Sequence, residues 1–157
     1  MIVREAAARD LEALLALYLH LHETGIPEDR ERLRQVWAQI EADPGHHILV
    51  AEQGGQIVSA CACVIVPNLT RNLRPYALIE NVVTRADFRR RGFASACLAR
   101  AVNLARAAGC YKVMLLTGAK DEATLHFYRR AGFDSGDKTA FVLRLDCDDG
   151  TIPSPNS

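Results

Sequence analysis

Residues 76–117 hold the pattern that most restricts how this chain can fold. "YALIENVVT" is an apolar run rich in β-branched residues, "RADFRRRG" is a charged turn ending in glycine, and Phe93 to Ala108 is dominated by alanine and leucine before Gly109. A second apolar run, "YKVMLLT", follows. The first and last runs suit pleated strands, while the alanine-rich stretch suits a helix with glycine where a helix C-terminus favours it. Strand, helix and strand in that order are the crossover unit of α/β proteins.

The flanking sequence supplies the rest of the layers. "IVRE" reads as a short strand, and Asp10 to Glu23 carries leucines at 11, 14, 15, 17, 19 and 21, a wide helical stripe. "TGIPED" interrupts it, and residues 28–43 form a second, charged helix with Leu33, Val36, Trp37 and Ile40 on one face. "HHILVAE" and "IVSACACVIV" are two strands joined through "QGGQ", a Gly-Gly hairpin signal. Downstream, "DEATLHFYRRAG" is the last full helix, and "FDSGDKTAFVLRL" contains strand signals split by Gly136. The expectation is one α/β domain over residues 1–145. Its acidic, then proline- and serine-rich tail, 146–157, is expected to be poorly ordered.

Composition excludes several classes of function. The 157 residues are one domain's length, and 19 basic residues balance 19 acidic ones, leaving no global field for nucleic acid or an anionic membrane. Few aromatics accompany the arginines, so no stacking platform for single strands is evident. Five cysteines, 61, 63, 97, 110 and 147, lack zinc-site spacing and read as reduced thiols, with Cys61 and Cys63 on one strand face. His20, His22, His46 and His47 have no carboxylate or cysteine at ligand spacing, so no metal is expected. No signal peptide or membrane span is visible at the N-terminus, and the expected location is the cytoplasm.

The arginine-glycine turn carries the chemistry. A turn between a strand and a helix presents consecutive backbone N–H groups at the positive end of the helix dipole, and glycine allows an anion to come close. The Gly-Lys-Ser/Thr ending of a Walker loop and the Rossmann GxGxxG spacing are both absent. The expected ligand nevertheless carries phosphate.

"VVTRADFRRRGFASACL" resembles the core motif of the GNAT superfamily of acyl-CoA-dependent N-acetyltransferases, its Arg/Gln-x-x-Gly-x-Gly/Ala signature met by Arg89, Gly92 and Ala94. "HFYRRAGF", 126–133, resembles the tyrosine-bearing last helix of that family. The resemblance spans residues 2–145 and implies a mixed, largely antiparallel sheet of six to seven strands flanked by helices. It implies that Arg89, Arg90, Arg91, Gly92, Phe93, Ala94 and Ser95 hold the pyrophosphate of acetyl-CoA. Val82, Val83 and Thr84 then pair with its pantetheine arm, with a backbone N–H near Val82 stabilising the oxyanion. Tyr128 occupies the position of the acid that protonates the leaving thiolate; the alternative is an aromatic that only packs under the sheet. Asp121 stands where the family often has asparagine, which puts that coenzyme contact in doubt unless Lys120 neutralises it, and Thr124 stands where alanine is frequent.

Glu80 is a carboxylate in an otherwise apolar strand, costly to bury unless paired or functional. Strand alternation places it on the face of Val82, where partial burial would raise its pKa and suit it as general base. The alternative is a salt bridge to Arg74. Several blocks are also similar to glucosamine-6-phosphate N-acetyltransferases, for which Arg71 and Arg74 would clamp a phosphorylated amino sugar. A small amine without phosphate is the broader expectation for the acceptor. A non-catalytic acyl-CoA sensor or docking module is the competing class, and a homodimer is left open.

Overall fold

The computed structural model describes residues 1–21 and 23–145. His22, Cys147 and the tail expected to be poorly ordered therefore lie outside the described residues. Five strands form one sheet in the order β1 (Ile2–Glu5), β2 (His46–Gln53), β3 (Gln56–Val66), β4 (Tyr76–Thr84), β5 (Val113–Leu115). The first four are antiparallel neighbours, and β4 and β5 run parallel. The β2–β3 hairpin closes through Gly54 and Gly55, both at positive φ, the conformation a two-residue turn of matching twist demands.

Helices cover both faces. On one, α1 (Leu11–Tyr18) and α2 (Arg30–Ala42) bury Leu14, Leu17 and Trp37 against Val50, Ile57, Ala60 and Val83. The first helix ends at Tyr18, five residues before the expected end at Glu23. Asp29 caps α2, its carboxylate accepting the Arg32 N–H at 2.8 Å. A single turn, α3 (Thr70–Leu73), joins β3 to β4. On the opposite face lies α4 (Phe93–Ala107), whose buried stripe is Phe93, Cys97, Leu98, Ala101 and Ala105. Small side chains bring that helix close to the sheet, with the Cys63 Sγ 3.9 Å from the Ala101 carbonyl. The last helix, α5 (Glu122–Arg130), lays Phe127 and Tyr128 against the same core.

The expected strand count is corrected here. The apolar residues of 133–145 make no strand; from Asp134 to Leu145 they are exposed, and the sheet ends at β5 among the described residues. The apolar, aromatic and β-branched content of "TAFVLRL" suits a strand, but such a stretch becomes one only where a neighbour supplies the ladder.

Two charge features brace the N-terminal half. Asp10 is 6% exposed and accepts both Arg4 guanidinium nitrogens, at 2.6 and 3.0 Å, and the Ala7 N–H at 2.8 Å. Arg4 also reaches Glu52 at 2.9 Å, tying β1 to β2. The Arg4 contact, ahead of the Ala7 bond and against the opposing effect of burial, holds the Asp10 carboxyl below the usual carboxylate range.

Candidate active site

The site is built from two strands that part. Pairing between β4 and β5 covers Ala77 with Val113, Leu78 with Met114 and Ile79 with Leu115, and stops there. From Glu80 onward β4 has no neighbour on that side. On its other side, Glu80 lies opposite Ala62 and Val83 opposite Ala60, so Asn81 and Val82 together face the single residue Cys61. This is a β-bulge, and Asn81 takes φ 54° to make it.

The bulge decides which groups look into the opening. Val83's carbonyl accepts the Ser59 hydroxyl at 2.7 Å on the β3 side, so the alternation of backbone polar groups turns those of Val82 and Thr84 toward the open edge. The bulge also reverses side-chain parity. Val82 packs with the α4 face and Val83 with the α1–α2 face. Glu80, one residue past the α4-facing Ile79, therefore lies on the face opposite Val82, contrary to simple alternation. It is exposed rather than partly buried, and it forms no salt bridge among the described residues. Asn81 escaped the sequence reading, although asparagine is among the non-glycine residues that most readily adopt a left-handed conformation.

At the far end of β4 the chain makes a 3₁₀ turn, Ala86–Phe88, and enters α4 through Arg89–Gly92. Arg90 is left-handed at φ 60° and Gly92 at φ 87°. No side chain caps the helix at Gly92, and its first backbone bond runs from the Ala96 N–H to the Gly92 carbonyl at 3.0 Å. The N–H groups of Phe93, Ala94 and Ser95 are thus the unpaired donors of a helix start. A Cβ built on Gly92 meets nothing within 4 Å, so no protein atom crowds the turn at that position. An anionic phosphate fits that cradle by charge and shape.

The arginines divide their tasks. Arg89 Nε donates to the Thr84 carbonyl at 3.3 Å, bracing the turn against β4. Arg91 stacks its guanidinium over Phe88 and Phe93, with 4.9 and 5.7 Å to the ring centres. Only Arg90, with no hydrogen bond, ion pair or ring contact among the described residues, keeps its charge free for a ligand.

Tyr128, on α5, packs against the core cluster that Val82 and Leu115 also flank. It is half-buried against Phe127 and Phe133, with ring centres 4.9 and 6.4 Å away. Burial first, then the Cys61 thiol and the Glu80 carboxylate, push its phenol up. A phenol pushed upward keeps its proton at neutral pH. Asp121 sits at the N-cap of α5, accepting the Thr124 N–H at 2.9 Å. That backbone bond leads the causes holding its carboxyl below the ordinary range, and no ion pair with Lys120 forms.

Arg71 and Arg74 are not brought to this opening. Arg74 donates to the Gly109 and Cys110 carbonyls, both at 3.2 Å, closing the C-terminal end of α4, and Arg71 lies over the Tyr111 ring at 5.5 Å. Both precede Tyr76, at the end of β4 away from the bulge, roughly 15 Å off by strand rise. A separate hollow of about 520 Å³ opens between α1 and the β2–β3 hairpin. Most of its charges are already paired, Arg4 with Asp10 and Glu52, and Arg85 with Asp87. The described residues contain no group of three His, Cys, Asp or Glu side chains able to hold a metal, and no helix long and apolar enough to cross a membrane.

Comparison with known proteins points the same way. The sequence model of the acetyltransferase (GNAT) family matches residues 11–133. A glucosamine 6-phosphate N-acetyltransferase of Trypanosoma brucei brucei is 34% identical over 92 residues, which cover 59% of this chain. The chain spans 58% of that relative's length and 42% of a second curated one. A solved structure from Agrobacterium tumefaciens str. C58, named only provisionally as an acetyltransferase, is 44% identical with a TM-score of 0.85, covering 92% of this chain and 99% of its own. A Trypanosoma brucei acetyltransferase structure is 30% identical with a TM-score of 0.78, covering 93% and 99%.

Proposed function

The chain belongs to the acetyltransferase (GNAT) family, and on that basis we propose that it moves an acetyl group from acetyl-CoA to a primary amine of a small molecule. The observation that carries the reading is the alignment along β4 of an open, bulged backbone edge with an open N–H cradle at Gly92. The pyrophosphate fits the cradle, and an extended amide-containing arm fits the edge, because a free strand edge offers alternate donors and acceptors to another extended chain.

In this reading the Val82 N–H faces the thioester carbonyl, and such a donor contributes about 3 kcal/mol to an acyl-transfer barrier. Tyr128 protonates the departing thiolate; its raised phenol suits an acid. Glu80, exposed at the mouth of the opening, receives the ammonium proton through water. Free thiols at the four described cysteines suit a reducing cytoplasm.

Asp121 has a structural task as the cap of α5, so its presence in place of asparagine does not by itself favour reading the chain as a sensor that has lost coenzyme contacts. Arg74 is held by the Gly109 and Cys110 carbonyls at the end of β4 away from the bulge, which weighs against its serving as a phosphosugar clamp at this opening. The test is release of free thiol from acetyl-CoA in the presence of an amine panel that includes glucosamine 6-phosphate. Product with at least one amine is expected. Stabilisation by acetyl-CoA with no product from any of them would return the chain to the binding-module class.

A further inference from the structure

Ser59 is out of place by composition. It is 0% exposed on β3, and among the described residues only it and Asp10 are buried polar side chains. Strand alternation puts it on the side of Cys61 and Cys63, whose apolar cluster α4 covers. A hydroxyl in such surroundings is costly unless its hydrogen bonds are made. Ser59 makes two, both to one short stretch of β4. It donates to the Val83 carbonyl at 2.7 Å, and its oxygen lies 2.7 Å from the Thr84 hydroxyl. A serine has a single proton to give. With that proton on the Val83 carbonyl, the Thr84 hydroxyl is the donor of the second bond, and the hydroxyls run in series from Thr84 through Ser59 to Val83.

These bonds fall where the sheet is least regular. Against β2, Ser59 pairs with Ala51 but Ile57 with Glu52, which leaves Val58 as an extra residue. Against β3, β4 carries its own extra residue at Asn81–Val82, and the ladder resumes with Val83 opposite Ala60 and Thr84 opposite Ser59. A bulge interrupts the ladder and sharpens the twist, so strand pairing alone holds the following peptide groups less firmly. On its other side β4 has no neighbour here. Ser59 thus ties down the first residues after the bulge from the side away from the opening. The Thr84 carbonyl in turn accepts Arg89 Nε at 3.3 Å, which continues the tie to the turn that begins α4.

We propose that Ser59 is a positioning residue for acyl transfer, its buried hydroxyl anchoring β4 just past Val82 and so fixing the aim of the Val82 N–H. This role rests on the acetyl-transfer reading given above. Val82 lies between the left-handed Asn81 and the anchored Val83. Without the anchor, its N–H follows the twist of the bulge. An oxyanion donor acts on charge that exists only in the transition state, and small errors of placement there are expensive, about 10²-fold for 1 Å. The pyrophosphate cradle is held by the start of α4 itself, so coenzyme affinity does not depend on this bond.

Ser59→Ala removes the hydroxyl without adding volume, at a position no water reaches. It should lower kcat roughly tenfold, leave KM and calorimetric affinity for acetyl-CoA within about twofold, and leave circular dichroism unchanged. A purely structural serine would lower kcat only as far as the folded fraction falls. Thr84→Val approaches the series from its outer end and leaves the bond from Ser59 to Val83 in place. It should lower kcat less than Ser59→Ala does and add nothing in the double variant, where its bond is already lost. Native kcat in Ser59→Ala, a loss that only tracks the folded fraction or is confined to KM, or multiplying losses in the double variant would each overturn the role while the acetyl-transfer reading stands. No product from the unaltered chain with any amine removes that reading, and the positioning role with it.

Discussion

Gly92 gives the sharpest test of the cradle, because its two roles can be separated. The residue sits at φ 87°, where a non-glycine residue costs about 1–2 kcal/mol, and a Cβ there meets no protein atom within 4 Å. Gly92→Ala should therefore lower stability by that strain alone, a melting shift of about 3–8 °C for a chain of this size. In the proposed reading the added methyl stands where the phosphate approaches the Phe93, Ala94 and Ser95 donors. Pushing a phosphate off one or two charge-assisted hydrogen bonds costs about 1.5–3 kcal/mol, a loss of roughly 10- to 150-fold in affinity for acetyl-CoA. Gly92→Asn separates the terms, since asparagine tolerates the left-handed region but keeps the Cβ: stability should recover while affinity stays low. Arg90→Ala, which removes an exposed charge screened by salt, should cost less than about threefold. Isothermal calorimetry with differential scanning calorimetry measures both quantities. Native affinity in Gly92→Ala, or recovery of affinity together with stability in Gly92→Asn, would refute the cradle.

Three further outcomes follow from the same geometry. Tyr128→Phe keeps the packing on Phe127 and Phe133, so kcat should fall about 10²-fold with KM for acetyl-CoA and melting temperature little changed; an unchanged kcat would assign the tyrosine to packing. Glu80→Gln removes an exposed carboxylate without an ion pair, so stability should stay within about 0.5 kcal/mol while the acidic limb of the pH–rate profile moves; a native rate and profile would take Glu80 out of the mechanism. Asp10→Asn leaves Arg4 with Glu52 as its remaining carboxylate partner and should cost about 1.5–3 kcal/mol in denaturant unfolding. The native Asp10 carboxyl lies below its ordinary value of 3.8, so its contribution is fully present above pH 3.8 and is lost as pH falls through the folded value. The mutant's deficit should therefore shrink in acid, and a deficit independent of pH would contradict the pairing.

Much of the site was legible because it is local. Gly92 and Gly109 bracket α4, Gly54 and Gly55 close the hairpin, and each does so through its own backbone conformation, which depends on a few neighbours in sequence. The order of strand, charged turn and helix likewise located the uncapped helix start that is proposed to hold the anion. Asp121 was legible as a position but not as a role, since a cap and a ligand contact use the same carboxylate.

Tertiary structure decided whatever depends on a partner strand. The face of Glu80 changed because the register of β3 accommodates one extra residue at Asn81, and a single inserted residue reverses every later side chain in a pattern of period two. Arg74 became a brace for α4 because folding brings the Gly109 and Cys110 carbonyls beside it, although they follow it by 35 and 36 residues. Residues 139–145 have the composition of a strand, yet composition records a capacity to pair and not the presence of a neighbour. A helix or a tight turn satisfies its backbone within itself, and so the sequence by itself determined those; a strand, a bulge and the opening between two strands are satisfied by other segments, and only their meeting in three dimensions settled them.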